Sequence, residues 1–211
     1  MHTPTLALFV VASFVLAVTP GPGVLFLITR TLSQGRSAGL ASIGGLAVGA
    51  FGNLLCASLG LALLFAVSTV AFTVVKLAGA AYLIYLGIKS LKPTVAAAVT
   101  PTVPVSRLQL FHSGILVDLL NPKLTLFFAA FLPQFIDPHS AALPQSLLLG
   151  CIFIGIAACT DTLYVLTTAA LGPTVIRRLK PGRIVRYLTA STFIGLGVYV
   201  ALSPSHQSPN P

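Results

Sequence analysis

The chain has 211 residues, 56% of them hydrophobic and only 7% charged, with a mean hydropathy of +0.99. A soluble domain carries about 25% charged residues, so a water-soluble fold is excluded and an all-α integral membrane protein is expected. The net charge of +9 comes from Lys and Arg scattered over connecting segments, not from a basic face interleaved with aromatics, which argues against a nucleic-acid partner.

A membrane-spanning helix needs about 20 mostly apolar residues. On that rule the predicted spans are residues 6–28, 39–65, 67–88, 110–132, 145–171 and 187–202. The N-terminus lacks the basic region of a secretory signal, and its apolar run continues to Ile28, so it is read as the first span. Inside that span stands "TPGPG", residues 19–23. Thr19-Pro20 and Gly21-Pro22 each read as a cap residue followed by proline at a first helical position, so the span is expected to break there and restart. A half-helix start presents free N–H groups and partial positive charge, which suits a carboxylate. Pro20, Gly21, Pro22 and Gly23 are therefore candidate substrate-binding residues.

The second span carries Ala41, Gly45 and Gly49, then Gly52, Cys56 and Gly60, at close-packing spacing. Contact within one bundle is the favoured use of that face, with a homodimer interface as the other. Asn53 on the same span is a candidate helix–helix bridge or substrate hydrogen-bonding group. Lys76 falls mid-span in the third helix, and a proline-rich loop follows. The fourth span contains "LVDLLNPKLTLF", where Asn121-Pro122 repeats the cap-and-proline pattern with Asp118 and Lys123 on either side. The fifth holds Thr160, Asp161 and Tyr164. Ionisable groups at membrane depth are costly and are functional candidates by default. With no glutamate in the chain, Asp118 and Asp161 are the candidates for proton coupling or for holding an ammonium group. Pairing of Asp118 with Lys123 or Lys76 as a structural ion pair is the alternative. Cys56, Cys151 and Cys159 lie in apolar runs without redox or zinc spacing and are expected to be packing residues; no metal or other cofactor is implied.

Loop charge supports the count of six spans. Arg30 and Arg36 lie in the first loop, Lys89, Lys92 and Arg107 in the third, and Arg177, Arg178, Lys180, Arg183 and Arg186 in the fifth. The second and fourth loops carry none. Positive residues accumulate on the cytoplasmic side, so both termini are expected outside. Pro22 and Pro122 stand at matching places in the first and fourth spans, and "LGIKSL" and "LGVYVAL" end the third and sixth. The pattern predicts two inverted three-helix repeats, about 1–92 and 107–202, with broken first and fourth helices, as in secondary transporters. Residues 1–202 then form one transmembrane domain and 203–211 a flexible tail.

Four segments in order, "TPGPG", "GRSAGL", "KLAGAAYLIYLGIKSL" and "NPKLTLFFAAFLPQF", resemble the LysE/RhtB family of bacterial amino-acid exporters, over about residues 19–135. The resemblance implies a six-helix, multi-pass inner-membrane exporter of amino acids, proton-driven and with periplasmic termini on the loop-charge argument. Carried over by position are Pro20, Gly21, Pro22, Gly23, Gly35, Gly39, Lys76, Gly79, Tyr82, Asn121, Pro122 and Lys123. Two buried aspartates are few for a dibasic substrate, so small neutral amino acids such as homoserine or threonine are favoured, with membrane lipids as the surrounding partner. An embedded enzyme would need a nucleophile–base pair or a metal cluster, and the sequence offers neither. The other readings are a divalent-metal or metabolite exporter and a non-transporting membrane scaffold.

Overall fold

The computed structural model describes residues 3–67, 69–91, 105–137, 140–178 and 183–203, which are helices and their connections without a strand among them. The proline-rich part of the third loop and the predicted tail beyond Ser203 lie outside the described residues. In chain order the helices are α1 (Thr3–Val18), α2 (Pro22–Gln34), α3 (Arg36–Val67), α4 (Thr69–Ser90), α5 (Arg107–Leu119) and α6 (Pro122–Leu126). A π-helical turn (Phe127–Phe131) and a 3-10 turn (Leu132–Phe135) follow, then α7 (Ala142–Arg178) and α8 (Arg183–Leu202).

These helices fall on the six predicted apolar segments, with the first and fourth each divided in two. Among the described residues, Arg36–Gly60 of α3 and Ala142–Gly172 of α7 are long and apolar enough to cross a membrane. The α1–α2 pair bends by 46°, and α5 and the helical segment Pro122–Phe135 by 42°, which brings the number to four if each bent pair is one span. Local chemistry explains the boundaries. Gly35 adopts φ 84° at the end of α2, a conformation that favours glycine, and its N–H closes on the Thr31 carbonyl. Ser106 and Gln109 start α5 with a reciprocal capping box. Gly172, at φ 69°, interrupts α7 just before Pro173.

The core is aromatic where α1, the π turn and α7 meet. Phe127 lies 4.6 Å, centroid to centroid, from Phe153 and 5.1 Å from Phe131, and Phe9 meets Phe135 edge-on at 5.2 Å. Each of these five rings is buried. The π turn widens the helix by one residue per turn, and four phenylalanines between 127 and 135 are buried around it.

Two helix pairs approach at backbone distance. A Cβ built on Gly45 of α3 would lie 2.1 Å from the Phe111 carbonyl oxygen of α5, and one on Gly49 would lie 2.3 Å from that of Ile115. Gly114 returns the contact, 2.8 Å from the Ser42 oxygen. The α4–α8 pair is reciprocal in the same manner: Gly87 faces the Ala190 oxygen at 2.9 Å, and Gly197 faces that of Ala80 at 2.8 Å. The small-residue face of α3 is thus used inside the chain at Gly45, Gly49 and Gly52, whereas Gly60 meets nothing within 4 Å. Cys56, Cys151 and Cys159 are free and exposed, contrary to the packing role expected of them. An apolar run does not distinguish the inside of such a bundle from its equally apolar outside.

Gly45→Ala is expected to lower the stability of the detergent-purified chain by about 2 kcal/mol or more, since a methyl group overpacks a fixed backbone contact. Gly155→Ala, where the added methyl meets nothing within 4 Å, should leave the thermal midpoint unchanged or raised. Equal midpoints for the two variants would contradict this packing.

Candidate functional site

Each broken helix frees backbone carbonyls that lipid cannot satisfy, at several kcal/mol apiece. At the end of α1 these are satisfied by groups from three elements. The Thr19 N–H donates to the carbonyls of Val15 and Leu16, both at 3.1 Å, and the Thr19 hydroxyl donates to Val15 at 2.7 Å. Lys123 of α6 donates from Nζ to the carbonyls of Leu16 (2.7 Å) and Thr19 (2.6 Å). Tyr164 of α7 donates from its hydroxyl to Val18 at 2.6 Å. Thr19-Pro20 therefore closes α1 rather than opening a helix, and the sequence expectation of a start at Pro20 is corrected. The threonine hydroxyl turns back to its own helix and donates to the Val15 carbonyl.

The end of α5 is finished by neutral groups. Asn53 of α3 donates from Nδ2 to the carbonyls of Asp118 (3.3 Å) and Leu119 (3.1 Å) and to Thr125 Oγ1 (2.8 Å). Asn121 N–H also donates to the Asp118 carbonyl, at 3.2 Å. Thr125 Oγ1 donates in turn to the Asn121 carbonyl. Asn53 is thus a bridge between α3 and the fourth-helix break.

The two helix starts differ. Pro122 opens α6 behind Asn121, whose Oδ1 accepts the Lys123 N–H at 3.1 Å. That start is capped by its own side chain. Pro22 opens α2 behind Gly21, which has no side chain to offer the first amides. Asp118 takes up the position beside it: a Cβ on Gly23 would lie 3.0 Å from Asp118 Oδ1. Acidic groups are favourable at a helix start. Asn121 Nδ2 holds the same Asp118 oxygen at 2.9 Å.

Gly21, Gly23, Asp118, Asn121, Lys123 and Asp161 line one cavity of about 40 Å³, closed on its apolar side by Phe153 and Ala157. That is room for about three or four waters at the usual minimum of about 10–15 Å³ each. Lys123 and Asp118 are 7% and 9% exposed, so both charges are withdrawn from solvent. The ammonium group of Lys123 binds carbonyls rather than a carboxylate, so the simple ion pair offered as an alternative is not the arrangement found. Pro20 lies at the break itself and is half-buried.

Three predicted site residues stand elsewhere. Lys76 is buried and donates to the carbonyl of Ser203, just beyond α8, because it lies on the face of α4 turned to α8. Tyr82 and Pro122 border a separate, open and largely apolar cavity of about 620 Å³, with Gly79, Leu119, Leu120 and Thr125. Among the described residues no group of three or more His, Cys, Asp or Glu side chains is placed to hold a metal ion. Sequence reading missed Thr125 and the Leu16 and Thr19 carbonyls. A threonine four residues after an N-cap asparagine is the signal for the first; backbone acceptors leave none.

A family model described as "LysE type translocator" matches residues 14–204. This chain belongs to the LysE family. A homoserine/homoserine lactone efflux protein of Salmonella typhi is 39% identical over 143 residues, 67% of this chain and 69% of that protein. A leucine efflux protein of Salmonella choleraesuis is 27% identical over 200 residues, 92% of each chain. A Vibrio cholerae protein described as an uncharacterized membrane protein is 33% identical over 199 residues, 92% of this chain and 94% of its own. No solved structure matches. The LysE match takes in both helix breaks and every residue around the smaller cavity.

Asn53→Ala leaves the last carbonyls of α5 short of donors and is expected to cost about 1–3 kcal/mol, seen as a lower thermal midpoint in detergent. Tyr164→Phe, which removes one bond at a partly exposed edge, should cost about 1 kcal/mol or less. A larger loss from Tyr164→Phe than from Asn53→Ala would reverse this assignment of the supporting groups.

Proposed function

We propose that this LysE-family chain is a secondary active exporter of amino acids across the bacterial inner membrane, with small neutral substrates such as homoserine or threonine favoured and protons as the coupling ion. The observation that carries the reading is the convergence of one lysine, two aspartates and the ends of a broken helix on one cavity. Irregular backbone at membrane depth belongs where it lines a wet cavity, and transporter sites are built from such discontinuous helices. The names of the Salmonella relatives, for homoserine and leucine, point to the same substrate class.

On this reading the chain crosses the membrane six times as two inverted halves, with both termini outside and the Arg- and Lys-bearing loops inside. The substrate carboxylate meets the uncapped start of α2, where Gly21 leaves the first amides accessible. The start of α6 is a poorer receptor because Asn121 already caps it. Asp118 and Asp161 receive the coupling proton, the substrate ammonium meets these aspartates or the backbone carbonyls at the break, and the small cavity widens as the two halves rock. Lys76 and Tyr82 are set apart from this cavity.

Cells producing the protein and fed dipeptides of homoserine, threonine or leucine should release the free amino acid faster than cells without it, and an uncoupler should abolish the gain. Asp118→Asn and Asp161→Asn, present in the membrane at normal amounts, should each reduce export to the level of cells lacking the protein. Full export by both variants would remove the aspartates from the coupling step.

A further inference from the structure

We infer that the ammonium of Lys123 stands where the ammonium of the transported amino acid binds, so that substrate enters by exchanging with a side chain of the protein itself. This deepens the exporter reading above and rests on it.

The receptor is the carbonyl end of α1. Two oxygens, of Leu16 and Thr19, converge on Lys123 Nζ at 2.7 and 2.6 Å. A primary ammonium has three N–H donors, and nothing in this receptor distinguishes a lysine side chain from an α-amino group. The path of the lysine depends on Gly21, since a Cβ there would lie 3.1 Å from Lys123 Cδ and 3.6 Å from Nζ. Gly21 is therefore required twice, to leave the start of α2 uncapped and to let the lysine stem pass.

The other half of the arrangement has the complementary sign. Asp118, five residues before Lys123, sets its Oδ1 against Gly23 in the first turn of α2. The fourth-helix break thus presents an ammonium to the carbonyl end of α1 and a carboxylate to the amide end of α2. A zwitterionic amino acid carries the same two groups, and the macrodipole of each half-helix favours the same polarity. Asp161 faces these groups from α7 across the cavity.

Energetics then fix the order of events. Withdrawing Lys123 without replacement strands two buried carbonyls and an unpaired charge, both strongly unfavourable away from water. A substrate amine that takes over the carbonyls removes the first cost. The released lysine can meet the substrate carboxylate or Asp161, which removes the second. Compounds lacking either group complete only half of the exchange. A 2-hydroxy acid should therefore compete at least about 100-fold more weakly than the matching amino acid, and a simple alkylamine should not bind the wild-type chain.

The test uses the full chain purified in detergent. Propylammonium, with propanol as the uncharged control, is titrated against wild type and Lys123→Met while the thermal midpoint is read, with and without homoserine or leucine. Methionine keeps the stem volume, so an amine can reach the carbonyls only through the cavity. Propylammonium is expected to raise the midpoint of Lys123→Met by several degrees, to leave wild type unmoved, and to lose its effect when the amino acid is present. A folded Lys123→Met that ignores propylammonium overturns the inference. If that variant does not fold, the Nζ resonance of Lys123 is followed in wild type labelled with 15N-lysine and assigned by its loss in Lys123→Arg. Saturating homoserine or leucine should shift it; bound amino acid with an unmoved resonance overturns the exchange. Failure of both homoserine and leucine to bind wild type overturns the exporter reading instead, a result that the propylammonium titration on Lys123→Met reports separately.

Discussion

The carbonyls freed where α1 stops are the constraint around which the rest of this structure is arranged. A helix that ends inside an apolar medium has no water to receive its last acceptors, and the protein must supply donors from elsewhere. Here the principal donor is a charged one, Lys123, carried by a different helix break more than a hundred residues away in sequence. A buried ammonium is costly on its own. Two carbonyl oxygens and the negative end of a helix offset that cost, so the break and the lysine stabilise one another and neither is favourable alone.

The fold positions these groups through contacts that leave little freedom. Glycines 45, 49 and 114 bring α3 and α5 to backbone distance, and Asn53 rides on that pair to reach the end of α5. Because the two helices are in register over several turns, the Asn53 bonds are held by the packing. The aromatic cluster does the equivalent for α6. The π turn that follows it is locked by Phe127, Phe128 and Phe131 against Phe153 of α7 and Phe9 of α1. A short helix of five residues has little stability of its own, and its place is set by what comes after it.

Composition and proline placement told most of the architecture. The apolar runs gave the helical segments, and Gly21-Pro22 and Asn121-Pro122 marked the two restarts, since proline at a first helical position reads the same in any solvent. Thr19-Pro20 misled, because a threonine before proline can cap forwards or hydrogen-bond backwards, and only the end of α1 decides. Asp118, Lys123 and Asp161 stood out because charge at membrane depth is rare, and Asn121 because of the proline that follows it; the four line the smaller cavity together. Lys76 stood out for the same reason yet bonds beyond the end of α8; rarity marks a residue as placed, not where it is placed. The partners of Lys123 were invisible for a more basic reason. They are main-chain oxygens, which every residue has, and only the geometry of the break selects Leu16 and Thr19. The exposed cysteines show the complementary limit, that hydropathy does not separate the interior of a membrane bundle from its rim.

The two breaks are finished differently, and the difference bears on which of them can move. The α5 end is satisfied by Asn53 and Asn121, neutral groups on a helix already clamped to it or within its own turn. It can travel with α3 as one body and keep every bond. The α1 end is satisfied by Lys123 from α6 and Tyr164 from α7, so any displacement of α1 relative to that body must exchange donors. A step that exchanges donors at a buried site is one that a bound molecule can control, because the energy of the intermediate arrangement depends on what is there to replace the lost bond. On the proposed exporter reading, coupling of movement to substrate falls at the α1 end, where Lys123 is the charged donor among the described residues. The neutral, self-contained break on the other side would then be the frame against which that movement is made.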